Sequence, residues 1–130
     1  MRKIFLKSGL PTEKIEQGTV IKFLRESFPT ALFTIAPNGF RLHPRVARDL
    51  KDMGYRAGTP DILIFEPRAK YHGLFIEMKA QKGGVISPEQ KAFIFLSRAN
   101  GYAAAVCAGA QEAIPLIGAY LKMGEFNEKK

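Results

Sequence analysis

Asp61 follows a proline and opens an otherwise apolar run, Asp61-Ile62-Leu63-Ile64-Phe65. Glu77 and Lys79 close a second one, Gly73-Leu74-Phe75-Ile76-Glu77-Met78-Lys79. Side chains alternate across a strand, so Glu77 and Lys79 share one face while Leu74, Ile76 and Met78 take the other. Paired as a hairpin, the start of the first run lies beside the end of the second, which brings Asp61 to Glu77 and Lys79 at one sheet edge. Two converging carboxylates repel unless a cation compensates, and hard oxygen ligands suit Mg²⁺ or Mn²⁺. Taken alone, Glu77 and Lys79 read as a solvated ion pair of little energetic weight, and Asp61 as a strand-end cap. Together, in a basic chain, they read as a site.

Glu16 adds to this. It shares a helical stripe with Val20, Phe23 and Leu24, at offsets of four, seven and eight. A carboxylate on a core-facing stripe needs a partner. Either the carboxyl reaches water at the stripe edge, or it is a third acidic ligand. Gln17 lies off that face and receives no chemistry. Gln90 sits in Ser87-Pro88-Glu89-Gln90, where a reciprocal capping-box contact accounts for it. A hydrogen bond to a phosphate, or an ordering contact to Lys79, accounts for it equally well. The basic run Arg41, Arg45, Arg48, Lys51 and Arg56, mixed with Asp49 and Asp52, reads as a solvated helix or as a phosphate-contacting face.

The elements that must hold these groups follow from pattern. Ile15 to Phe28 is a helix opened by Pro11-Thr12 and stopped by Pro29. Residues 32–36 form a short strand, and Pro37-Asn38-Gly39 a turn. Pro44 starts a helix over 45–53, with Gly54 at its C-cap. Strands at 61–65 and 73–79 are close enough to pair antiparallel. A helix over 87–100 crosses to a strand at 102–107, which makes those flanking strands parallel. A last helix spans 110–123, and Pro115 is expected to bend it or delay its start. The order is α-β-(α)-β-β-α-β-α, a mixed sheet flanked by helices.

The 130-residue chain is the size of one domain, expected over 1–124 with a frayed polar tail at 125–130. Twenty Lys and Arg against twelve Asp and Glu give a net charge of +8, which points to a polyanion, nucleic acid before membrane. No apolar run approaches the roughly 18 residues of a bilayer span, and the apolar part of Met1 to Lys7 is too short for a secretory leader. One cysteine, Cys107, permits no intrachain disulfide and suits a reducing, cytoplasmic setting. His43 and His72 lack cysteine partners, so zinc is not expected. Gly83-Gly84 fits neither a P-loop nor a dinucleotide fingerprint, so no nucleotide cofactor is expected.

Gly58-Thr59-Pro60-Asp61 followed by Phe75-Ile76-Glu77-Met78-Lys79 resembles the Pro-Asp…(Asp/Glu)-x-Lys signature of the PD-(D/E)XK nuclease superfamily. The likeness extends to Glu16-Gln17, Pro37-Asn38-Gly39, Gly54-Tyr55-Arg56-Ala57-Gly58, Ser87-Pro88-Glu89-Gln90 and Gly101-Tyr102. In this wider pattern, roughly residues 13 to 118, the chain resembles the VRR-NUC family, the virus-type replication-repair nucleases. The resemblance implies a restriction-endonuclease-like α-β-β-β-α-β core with the helix at 45–53 inserted. It implies Mg²⁺- or Mn²⁺-dependent cleavage of DNA. It assigns the metal to Glu16, Asp61 and Glu77 with the Met78 backbone carbonyl, the catalytic lysine to Lys79, and a less defined role to Gln90.

The expected activity is an endonuclease on branched DNA, of Holliday-junction-resolvase type, in a bacterial or phage-infected cell. The alternatives are a structure-specific flap nuclease, an inactive DNA-binding module, or a partner-binding domain. A junction has two-fold symmetry and each chain carries one Asp61-Glu77-Lys79 site, so a homodimer is expected. Segment 37–56 and the last helix, with Leu116, Ile117, Tyr120 and Leu121, are the candidate interfaces.

Overall fold

The structure, a computed structural model, describes residues 12–82 and 84–129; Pro11 and the N-terminal run before it lie outside the described residues. Helix α1 spans Glu13–Ser27. Thr12 caps it, its Oγ1 accepting from the Ile15 amide at 3.3 Å. Acidic Glu13 and Glu16 in the first turn and Arg25 in the last complement its dipole. Strand β1 is Phe33–Ile35, helix α2 Pro44–Asp52, strand β2 Ile62–Ile64 and strand β3 Leu74–Lys79. Helix α3 is Pro88–Ala99, strand β4 Ala103–Ala108 and helix α4 Ala110–Leu121. Most element ends fall within two residues of the sequence expectation. Pro115 sits inside α4 without delaying its start.

The sheet runs β1-β2-β3-β4. β1–β2 and β2–β3 are antiparallel and β3–β4 is parallel; the short β2–β3 connection and the crossover through α3 account for the last two. Ile62 faces Ile76. One residue further along that register, Asp61 stands opposite Glu77.

The two faces of β3 serve different neighbours. Leu74, Ile76 and Met78 join Val20 and Leu24 of α1 and Ala113, Ile117, Tyr120 and Leu121 of α4 in the main core. On the other face Phe75 packs with Ile94 of α3 and Ala104 of β4. Glu77 and Lys79 continue that second face. The apolar side of α4 is thus taken up by the core, which removes it as a candidate interface. Cys107 is buried in the main core, and burial, then the charge of Glu112, pushes its thiol up to about 11. It is a structural thiol.

Helix α2 differs from the rest. None of its residues is buried, and among the described residues it packs against no other helix or strand. The C-terminal segment expected to fray is held at its start. The Ala69 amide donates to the Gly124 carbonyl at 2.9 Å, the Asn127 amide donates to the Ala69 carbonyl, and the Phe126 ring lies 5.1 Å from that of His72. Among the described residues no helix is long and apolar enough to cross a membrane.

Candidate active site

The β2–β3 register delivers Asp61 and Glu77 to one end of the sheet, 7% and 2% exposed. Asp61 is fixed through both oxygens: Oδ2 accepts from the Met78 amide at 2.8 Å and Oδ1 from Asn38 Nδ2 at 2.9 Å. Asn38 also donates to the Thr59 carbonyl at 2.7 Å and accepts from the Tyr55 hydroxyl. Burial, then the charges of Asp61 and Glu77, raise the Tyr55 pKa, so that hydroxyl keeps its proton to donate.

Glu77 Oε2 accepts from Gln90 Nε2 at 2.9 Å and lies 3.7 Å from Lys79 Nζ. Among the described residues its Oε1 is buried with no hydrogen-bond partner. Burial and the adjacent Asp61 push its carboxyl up to about 8, against the opposing pull of Lys79. A buried acceptor is normally satisfied. An orphaned carboxylate oxygen beside a second carboxylate is the donor arrangement a hard cation would complete. A residue's N–H and C=O lie on the same edge of a strand. The Met78 carbonyl therefore faces the Asp61 side with its amide. Asp61, Glu77 and that carbonyl fit Mg²⁺ or Mn²⁺.

Gln90 makes the capping-box contact its motif predicts, and its second contact is with Glu77 rather than with Lys79. Its Oε1 accepts from the Ser87 amide at 2.9 Å, its own amide donates to Ser87 Oγ at 3.1 Å, and its Nε2 is left for Glu77. Gly58 presses the loop before Asp61 against this helix start. A Cβ there would lie 2.4 Å from the Glu89 carbonyl oxygen, and φ is +87°. Gly84 lies over the stem of Lys79, where an added Cβ would meet Lys79 Cβ at 2.7 Å.

Glu16 was expected beside Asp61 and Glu77, and the structure does not bring it there. It is buried on the Val20–Leu24 stripe, as its spacing implied, but its partners are different. Oε1 accepts from the Ala110 amide at 3.0 Å and Oε2 from Gln81 Nε2 at 2.6 Å. Helix α4 has glycine at its N-cap and no side-chain cap of its own. Glu16 supplies that cap from α1 and ties it to the chain just past β3. Among the described residues no three His, Cys, Asp or Glu gather so as to hold a metal ion.

The acidic neighbour on the cleft side is Glu13, whose charge adds to the rise in the Glu77 pKa. Glu13, Gln17 and Ile21 form the α1 stripe lining an open cleft of about 1120 Å³ that contains Asp61, Glu77, Lys79 and Gln90. Gln17, given no chemistry from sequence, belongs to this wall. The offsets of four and eight from Glu13 were the signal that could have found it. Arg41, Arg45, Arg48, Lys51 and Arg56 are all exposed and do not line the cleft; its cations besides Lys79 are Lys14, Lys22 and Arg25.

The family model described as VRR-NUC domain matches residues 16–111. A solved structure titled VRR_NUC domain protein is similar over 91% of this chain and 94% of that one, at 29% identity and a TM-score of 0.77. No curated protein matches the chain.

Proposed function

This chain belongs to the VRR-NUC domain family, a nuclease family, and on that premise we propose that it is a Mg²⁺- or Mn²⁺-dependent DNA endonuclease acting on branched DNA. The observation that carries the reading is the orphaned Oε1 of Glu77, buried opposite Asp61 and beside Lys79. Asp61, Glu77 and the Met78 carbonyl would hold the metal. Such an ion neutralises phosphate charge and acidifies a bound water.

The chain's own residues do the positioning. Asn38 and the Met78 amide orient Asp61, and Gln90 orients Glu77. Lys79, held 3.7 Å from Glu77 with its stem under Gly84, aims its ammonium at the charge that develops on the phosphate. The exposed Arg41, Arg45, Arg48, Lys51 and Arg56 supply sequence-independent phosphate contacts outside the cleft. Work on DNA in the cytoplasm of a bacterial or phage-infected cell accords with this reading.

Paired cuts in a two-fold junction call for two copies. The outer stripe of α3, Ala92, Phe95, Leu96 and Ala99, is exposed and uncharged, with Phe95 70% exposed. A two-fold interface sets a patch against itself, which an uncharged stripe tolerates and the basic 41–56 segment does not. A homodimer through α3 therefore accompanies the resolvase reading. The test is cleavage of four-way junction, flap, splayed arm and duplex in Mn²⁺ by wild type and by Glu77→Ala and Asp61→Ala. The variants should bind DNA and not cut. Wild-type cutting rates in either variant, with contaminating nuclease excluded, would remove the assignment.

A further inference from the structure

We propose that Phe40 and Lys14 form a seat for one unpaired nucleotide beside the carboxylates, the ring stacking on its base and the ammonium meeting its phosphate; the inference deepens, and rests on, the nuclease reading. Phe40 lines the same cleft as Asp61, Glu77 and Lys79. It is 56% exposed and belongs to neither core cluster, so packing does not explain it.

Its position is set from the site itself. Asn38 is tied to Asp61, and Gly39, with φ +80°, turns the chain immediately after it. Two residues of chain reach at most about 7 Å, so the backbone of Phe40 stays on the rim of the carboxylate site. From the opposite wall, Lys14 Nζ reaches to 5.7 Å from the ring centroid. Lys14 belongs to the first turn of α1, one residue past Glu13, whose charge is felt at Glu77.

An exposed cation–π contact is weak and gives little reason to leave an aromatic ring in water. A nucleotide, by contrast, presents a π-face and an anion a few ångström apart. Every base can use such a face, so the seat is blind to sequence. Bases inside a duplex keep both faces stacked on their neighbours. Only an unpaired or splayed nucleotide can occupy Phe40, which makes the preferred substrate one with an unpaired nucleotide at the cut. The cleft, at about 1120 Å³, exceeds the roughly 300–1,000 Å³ of small-molecule pockets and suits a polymer.

The test uses the full chain and splayed-arm DNA, with affinity read by anisotropy in chelator and cutting read in Mn²⁺. Phe40→Leu should weaken binding about tenfold with unchanged melting temperature, and Phe40→Trp should restore it. Removing the base at the branch nucleotide, leaving an abasic sugar, should erase the difference between wild type and Phe40→Leu. Lys14→Gln should weaken binding and lower the salt slope by about one. If wild type cuts this DNA and Phe40→Leu binds it equally well, or if the Phe40→Leu defect persists on the abasic DNA, the seat is overturned. If wild type neither binds nor cuts any branched DNA, the nuclease reading falls first and this inference with it.

Discussion

Gln90 holds Glu77: its Nε2 donates to Glu77 Oε2 at 2.9 Å while its Oε1 closes the capping box of α3 on the Ser87 amide. One side chain thus both starts a helix and orients a carboxylate of the cleft. The two tasks separate by mutation. Ser87→Ala should cost about 1 kcal/mol in urea unfolding and leave DNA cleavage nearly intact. Gln90→Ala should cost a similar amount and lower cleavage about tenfold or more. Equal activity in the two variants would deny Gln90 any part in positioning Glu77.

Burial and Asp61 give Glu77 a pH signature in metal-free protein. Its folded pKa is about 8 against an ordinary 4.5, so between those values the native state binds more protons than the unfolded one. Stability from this group is therefore complete below about pH 4.5 and is lost as pH rises towards 8. Melting temperature in chelator should fall from pH 5 to pH 8, and Glu77→Gln should flatten that fall. Mn²⁺ at pH 8 should raise the wild-type melting temperature more than that of Glu77→Gln. A wild-type profile that rises with pH as steeply as the variant's would contradict the assigned environment.

Glu16 should behave as a structural carboxylate. Glu16→Ala strands the Ala110 amide and the Gln81 side chain, and a loss of about 2 kcal/mol is expected in urea unfolding. Glu16→Gln keeps an acceptor for Ala110 and should lose less than half of that. Unchanged or increased stability in Glu16→Ala is what an acidic cluster would give, and would return Glu16 to the metal site.

Gly58→Ala places a methyl 2.4 Å from the Glu89 carbonyl oxygen and 2.8 Å from the Gln90 amide, at a left-handed φ. More than about 2 kcal/mol of stability should be lost, and cleavage should fall with it because α3 carries Gln90. Tolerance of this change in a melting assay would mean that the loop and α3 move apart freely.

The α3 stripe sets the assembly. Phe95→Glu should shift light scattering from dimer to monomer and abolish paired cutting of junctions, with flap cutting retained. A wild-type monomer would exclude the dimer outright.

Asp61 and Glu77 were legible because two local rules multiply: a period of two fixes the face, and a short hairpin fixes the register. Lys79 follows from the same period. The capping half of the Gln90 role could be read from Ser87-Pro88-Glu89-Gln90, but its contact with Glu77 depends on how α3 lies across β3. Glu16 shows where pattern stops. Its stripe was readable, but its partners, Gln81 and Ala110, are 65 and 94 residues away. A helical wheel says which residues share a face; the docking angle of α1 decides whether the cleft sees Glu16 or Glu13. Asn38 read as a turn residue because its bond to Asp61 spans 23 residues.

Helix α2 is nine residues long and, among the described residues, stands clear of every other element. An isolated helix needs about 12–15 residues to be even marginally populated in water, so α2 draws no cooperativity from the domain and little from itself. Its amides should exchange with solvent hydrogen far sooner than those of β3, at a rate set by local opening and untouched by mutations that weaken the core. A polyanion that straightens this segment must also meet its ordering entropy, so association should carry a heat-capacity change larger than the contact area alone accounts for. Residues 44–52 are in that sense a detachable appendage between β1 and β2, and shortening or exchanging them should alter what is gripped without altering whether the chain folds.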